Sequence, residues 1–162
     1  MIFSRHLLYI ITIFVIMKKS FLIFKNVMTN HYMNFNGRVS RPGYWHFVLW
    51  TVIISIPLIA LDFAVFGMED EDLSLFSSLW ELAVLIPNIG LAIRRFHDTN
   101  RTGWWVLIPY IALIPTIIFF TLEFDSLGII SIAAFFILLL ASLVFLCQKS
   151  NPEANQYGEP VS

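Results

Sequence analysis

Leu127-Gly-Ile-Ile-Ser-Ile-Ala-Ala-Phe-Phe-Ile-Leu-Leu-Leu-Ala-Ser-Leu-Val-Phe-Leu-Cys147 contains no charged residue and no proline. Coiled as an α-helix at 1.5 Å per residue, it is about 31 Å long, close to the roughly 30 Å hydrocarbon core of a bilayer. Its apolar residues run on without alternation. A barrel strand would place polar residues at every second position over about ten residues, so a spanning helix is the expected structure.

Three further apolar stretches flank it, at about 44–66, 75–93 and 103–122. The second contains Glu81, Pro87 and Asn88, and the third contains Pro109 and Pro115. Composition agrees with four spans. Hydrophobic residues make up 58% of the 162-residue chain and charged residues only 13%, about half the charged share of a soluble domain. So apolar a chain cannot cover itself with polar surface, and lipid is its expected solvent. The expected fold is an all-α integral membrane protein with four transmembrane helices over 35–150, an N-terminal segment over 1–34 and a cytoplasmic tail over 151–162.

The connections sort the charges. Of ten Lys and Arg residues, Arg5, Lys18, Lys19, Lys25, Arg38 and Arg41 precede the first span, Arg94, Arg95 and Arg101 lie between the second and third, and Lys149 follows the fourth. With four crossings all ten share one face, which cation retention makes cytoplasmic, together with both termini. The opposite connections hold Glu69, Asp70, Glu71, Asp72, Glu123 and Asp125 and no base. Within 1–34, Leu7–Met17 is too short to span, at roughly 16 Å of helix. Lys18-Lys19 follows where a signal peptide would have small cleavage-site residues. An interfacial helix is one reading; the expectation preferred here is a start at Met17 or Met28, with 1–16 untranslated.

Three polar motifs fall on the cytoplasmic side: Phe35-Asn-Gly-Arg-Val-Ser-Arg-Pro-Gly-Tyr-Trp-His46, then Arg94-Arg-Phe-His-Asp-Thr-Asn-Arg-Thr-Gly-Trp-Trp105, then Asn155-Gln-Tyr-Gly-Glu-Pro160. Over about 21–160 the chain resembles domain-of-unknown-function family 805, the YhaH-like small bacterial inner-membrane proteins. The resemblance implies a bacterial cytoplasmic membrane and four helices, and supplies no activity. Its members begin a short way before the first motif, in keeping with a late start. The family's middle motif usually has Gly where this chain has Asn100. Asn is the next best residue for a left-handed helix cap, so the turn is expected to survive. The tail motif is abbreviated here.

The residues themselves suggest two candidate sites. Arg94, Arg95, His97, Asp98 and Arg101, with Arg38 and Arg41, place five guanidiniums around one carboxylate if the second span continues to Asp98. That set suits an anionic lipid headgroup, a phosphorylated ligand or a protein partner. The plainer reading is that the arginines set orientation and reach lipid phosphates while Asp98 pins the loop. Within the spans, Asp62, Glu81 and Asn88 are the polar candidates. Ser77, Glu81, Asn88 and Arg95 share a face within roughly 40° at about 100° per residue, as do Thr51, Ser55 and Asp62, and the two faces are expected to meet. Asp62 and Glu81 then suggest a proton or cation site, or simply wetted acids near the outer surface. Asn88 is expected to bond across helices.

The leading expectation is a non-enzymatic inner-membrane protein, with membrane lipids as partners and a homo-oligomer or membrane protein partner allowed. The alternatives are a small oligomeric transporter or channel using Asp62 and Glu81, and an enzyme acting on lipid headgroups through His97 and Asp98. No cofactor, metal or nucleic-acid partner is expected. Scattered histidines and a single cysteine, Cys147, exclude metal-type spacings and an intrachain disulfide.

Overall fold

The computed structural model describes residues 2–67 and 74–161. The acidic run Met68–Asp72 lies outside them. The elements are α1 (Ile2–Asn30), α2 (Arg41–Phe66), α3 (Leu75–Asp98), a 3-10 turn (Gly103–Val106), α4 (Ile108–Ile111), α5 (Leu113–Thr121) and α6 (Asp125–Cys147). No strand occurs among the described residues beyond an isolated bridge between Asn155 and Gly158. In this group, α2, α3 and α6 are long and apolar enough to cross a membrane, and the Ile108–Thr121 stretch is shorter.

Helix starts and stops follow local chemistry. Pro42 sits in the first turn of α2, where its missing N–H has no intrahelical partner to lose. The helix expected over 75–93 continues to Asp98. The helix expected over 103–122 is not one helix but three short pieces. Pro109 and Pro115 explain the breaks, since neither can donate to the carbonyl four residues earlier and each ring crowds it. The N-terminal segment forms one helix, α1, which runs unbroken through Lys18-Lys19.

By contacts the chain divides into two units, Met1–Asn34 with Pro42–Asn88, and Phe35–Arg41 with Ile89–Ser162. In the first unit, α1 changes character along its length. Its apolar residues from Ile10 to Met17 are exposed on every side, whereas Ser20, Phe24 and Val27, spaced as one helical face, are buried. The Phe24 ring lies 5.2 Å from Phe47 and 6.2 Å from Trp80. Ser20 Oγ accepts from Trp50 Nε1 at 3.0 Å and is hydrogen-bonded to His46 Nδ1 at 2.9 Å. Pro87 cannot bond the Ala83 carbonyl within α3. The Tyr32 hydroxyl donates to that carbonyl instead, at 2.6 Å.

In the second unit, α4 and α5 pack along α6. The buried residues of α6 are Gly128, Ser131 and Ser142. A Cβ on Gly128 would stand 2.9 Å from the Phe120 ring, so a side chain there would displace that ring. Trp105 packs edge-on to Phe145 at 4.9 Å.

Candidate functional site

The end of α3 organises the three polar motifs. Asn100 takes the left-handed conformation, φ 58°. Arg101 N donates to Phe96 O at 2.9 Å and Asn100 N to His97 O at 3.0 Å, the paired bonds of a Schellman cap. The turn expected at Asn100 therefore forms. Two carbonyls at this end are taken by other segments: Val39 N donates to Arg94 O at 3.2 Å and Asn151 N to Asp98 O at 3.1 Å. The 35–41 loop and the chain after α6 both close on α3.

Asp98 is the hub. Its Oδ1 accepts from Arg38 Nε at 3.0 Å, its Oδ2 pairs with Arg95 Nη1, and none of the three side chains has any exposure. Most of the remaining donors of the two arginines go to backbone, while Arg95 Nη1 also reaches Ser150 Oγ at 3.4 Å. Arg38 Nη1 donates to Glu153 O at 2.8 Å and Gly158 O at 3.2 Å, and its Nη2 to Asn151 O at 2.5 Å. Arg95 Nε donates to Leu146 O at 3.0 Å, and its Nη2 bonds Gln148 O. Leu146 belongs to the last turn of α6, whose carbonyls have no helical partner, so a guanidinium there both bonds them and is favoured by the negative end of the helix dipole. Arg41 adds a longer contact to Cys147 O, at 3.4 Å.

His97 makes no bond to Asp98. Its Nδ1 faces Gly37 O at 3.1 Å, and its ring stacks on Tyr157 at 3.7 Å with a 2° interplanar angle. Asn155 Nδ2 donates to His97 O at 2.9 Å, while Asn155 Oδ1 accepts from Tyr157 N. The tail motif thus docks on the histidine. Of the five guanidiniums expected around Asp98, only Arg38 and Arg95 reach it. Arg101 turns to Gln148 Oε1 at 2.9 Å and lies 4.0 Å over the Phe145 ring. Arg94 donates to Arg38 O at 3.4 Å, and its enclosed Nε has no partner.

The intramembrane candidates divide. Asp62 is buried, 6% exposed. It accepts from Phe76 N and Ser77 N at 2.8 Å each and from Ser77 Oγ at 2.6 Å. It caps the N-terminus of α3, where the helix dipole favours an anion. Ser77 and Asp62 belong to the two polar faces, which therefore do meet here, and Trp80 Nε1 donates to Thr51 O at 3.3 Å. Glu81, by contrast, is exposed. Asn88 is half-buried and has no side-chain hydrogen bond among the described residues, unlike the cross-helix bond expected.

The profile of the family described as Protein of unknown function (DUF805) matches residues 32–159, a span that encloses every site residue above. The chain belongs to this family. It is 36% identical over 99 residues to inner membrane protein YhaI of Escherichia coli K12, covering 59% of this chain and 80% of that protein. It is 29% identical over 128 residues to inner membrane protein YhaH of the same strain, covering 79% of this chain and 87% of that one. No solved structure matches. With the apolar helices above, these relatives make this DUF805 member a multi-pass protein of the bacterial inner membrane. Sequence reasoning missed Tyr32 in this family member. The available signal was Pro87, because a proline inside a helix always frees the carbonyl four residues back.

Proposed function

We propose that this chain is a non-enzymatic inner-membrane protein that crosses the bilayer four times and presents an arginine-rich cytoplasmic end to anionic lipid headgroups. In this reading α2, α3, the 103–121 segment and α6 are the crossings, and α1 stays with its lysines on the cytoplasmic side. The segmented crossing is long enough: four 3-10 residues at about 2.0 Å and the Ile108–Thr121 stretch at about 1.5 Å per residue add to roughly 29 Å. Retention of all ten cations on one side supports the orientation.

The observation that carries the functional reading is the enclosure of Asp98 between Arg38 and Arg95. A carboxylate saturated by two guanidiniums, and turned away from His97, is no general base. Its role is to fasten the tail to α3. Arg41, exposed, and Arg94 and Arg101, half-exposed, remain at the same end. Guanidinium forks suit lipid phosphate. The test is native mass spectrometry of the purified chain after exchange into phosphatidylethanolamine doped with phosphatidylglycerol. Retention of phosphatidylglycerol by the wild type, lost in the Arg41→Gln/Arg94→Gln/Arg101→Gln variant, is the expected result. Equal retention by both proteins refutes the reading.

A further inference from the structure

A cavity of about 260 Å³ opens between the last turns of α3 and the segment after Arg101, lined by Ile89, Ile93, Gly103, Trp104, Val106 and Leu107. Its wall depends on a close approach. A Cβ on Gly103 would meet Ile93 Cγ2 at 2.7 Å, so only glycine lets the 3-10 turn lie against α3. Trp104 remains 72% exposed beside it. An indole left open on an apolar surface is typical of the membrane–water boundary.

We propose that this groove seats one acyl chain of an anionic phospholipid whose phosphate is held by Arg94 and Arg101. The inference rests on the headgroup reading above and adds the place where the lipid's chain lies. The lining is almost wholly apolar, and the volume is below the roughly 300–1,000 Å³ of pockets for compact small molecules, which favours a narrow hydrocarbon chain. Charge complementarity sets the headgroup. Arg94 directly follows Ile93 and is half-exposed, and Arg101 stands two residues before Gly103. A second copy of this chain is the poorer occupant, since six lining residues fall far short of the roughly 20–30 a side of a stable interface.

The test uses the full chain, delipidated and returned to phosphatidylethanolamine doped with phosphatidylglycerol. Leu107→Trp fills the groove from a partly exposed position, Leu107→Ala leaves it open as the folding control, and Arg94→Gln removes a headgroup contact. Native mass spectrometry should show bound phosphatidylglycerol falling about tenfold in Leu107→Trp, the value of losing contact with roughly two methylenes. It should stay near wild type in Leu107→Ala. In the wild type, brominated-chain phosphatidylglycerol should quench Trp104 fluorescence more than brominated phosphatidylethanolamine does, a difference that Trp104→Phe removes. If Leu107→Trp keeps its lipid while Arg94→Gln loses it, the groove is wrong and the headgroup reading stands. If neither variant changes retention, both fall. A dimer in the wild type that Leu107→Trp disperses, without lipid loss, assigns the groove to a second copy and overturns the proposal.

Discussion

Helix α3 has a buried carboxylate at each end, and the two are held by opposite means. Asp62, from α2, meets the N-terminus of α3 and is satisfied by two amides and a hydroxyl, all neutral. Asp98 belongs to the last turn of α3 and is satisfied by two guanidiniums. The helix dipole accounts for the contrast. An anion at the positive end needs only acceptor geometry to be stable, whereas an anion at the negative end is opposed by the dipole and needs cations. The family motif of arginines around Asp98 is therefore first a structural requirement. Arg41, Arg94 and Arg101 form no ion pair among the described residues.

Substitutions at the two ends sharpen that contrast. Asp98→Ala should cost most, about 3–5 kcal/mol, because it leaves Arg38 and Arg95 buried without their counter-charge. Limited proteolysis should then cut the chain after Cys147 well below the wild-type melting temperature. Asp98→Asn should be nearly as damaging, because the missing charge rather than the missing oxygen is responsible.

Tyr32→Phe comes next. It strands the Ala83 carbonyl at an expected cost of about 1–3 kcal/mol in thermal melts. Pro87→Ala supplies residue 87 with an amide for that carbonyl, so Tyr32→Phe should be nearly silent in a Pro87→Ala background. A cost unchanged between the two backgrounds would mean that the tyrosine acts by packing alone.

Asp62→Ala should lower the melting midpoint by less than Asp98→Ala does, and Asp62→Asn by less again, since a neutral oxygen still accepts from Ser77. Equal losses for Asn at 62 and Asn at 98 would break the dipole argument. The smallest effect is expected at exposed Glu81, where Glu81→Gln should change stability by no more than about 0.5 kcal/mol. Proton flux across reconstituted vesicles should also be unaltered by it. A measurable change in flux would restore the transport reading of Asp62 and Glu81.

Some of the site was legible in order along the chain. The left-handed turn at Asn100 depends on a few neighbouring residues, and local chemistry predicts it. The meeting of the polar faces of α2 and α3 followed from 3.6-residue periodicity. Asn88 did not follow, because periodicity says which way a side chain leans and nothing about what stands opposite. The broken helix after Gly103 was underread for a different reason. Pro109 and Pro115 were visible, but whether a proline kinks or ends a membrane helix depends on what re-bonds the freed carbonyls.

From the residues alone came an all-helical, membrane-embedded chain and three cytoplasmic-type motifs, because hydropathy and charge sorting are sums over a segment and need no folded partner. Only the tertiary structure decided that Arg38 and Arg95, but not Arg41, Arg94 or Arg101, reach Asp98, and that the tail closes over them. Arg38 lies 60 residues from Asp98 and 113 from Asn151. No periodicity links such positions. Which guanidinium reaches which oxygen is settled by where folded segments deliver a few polar atoms, and burial then makes that choice costly to change.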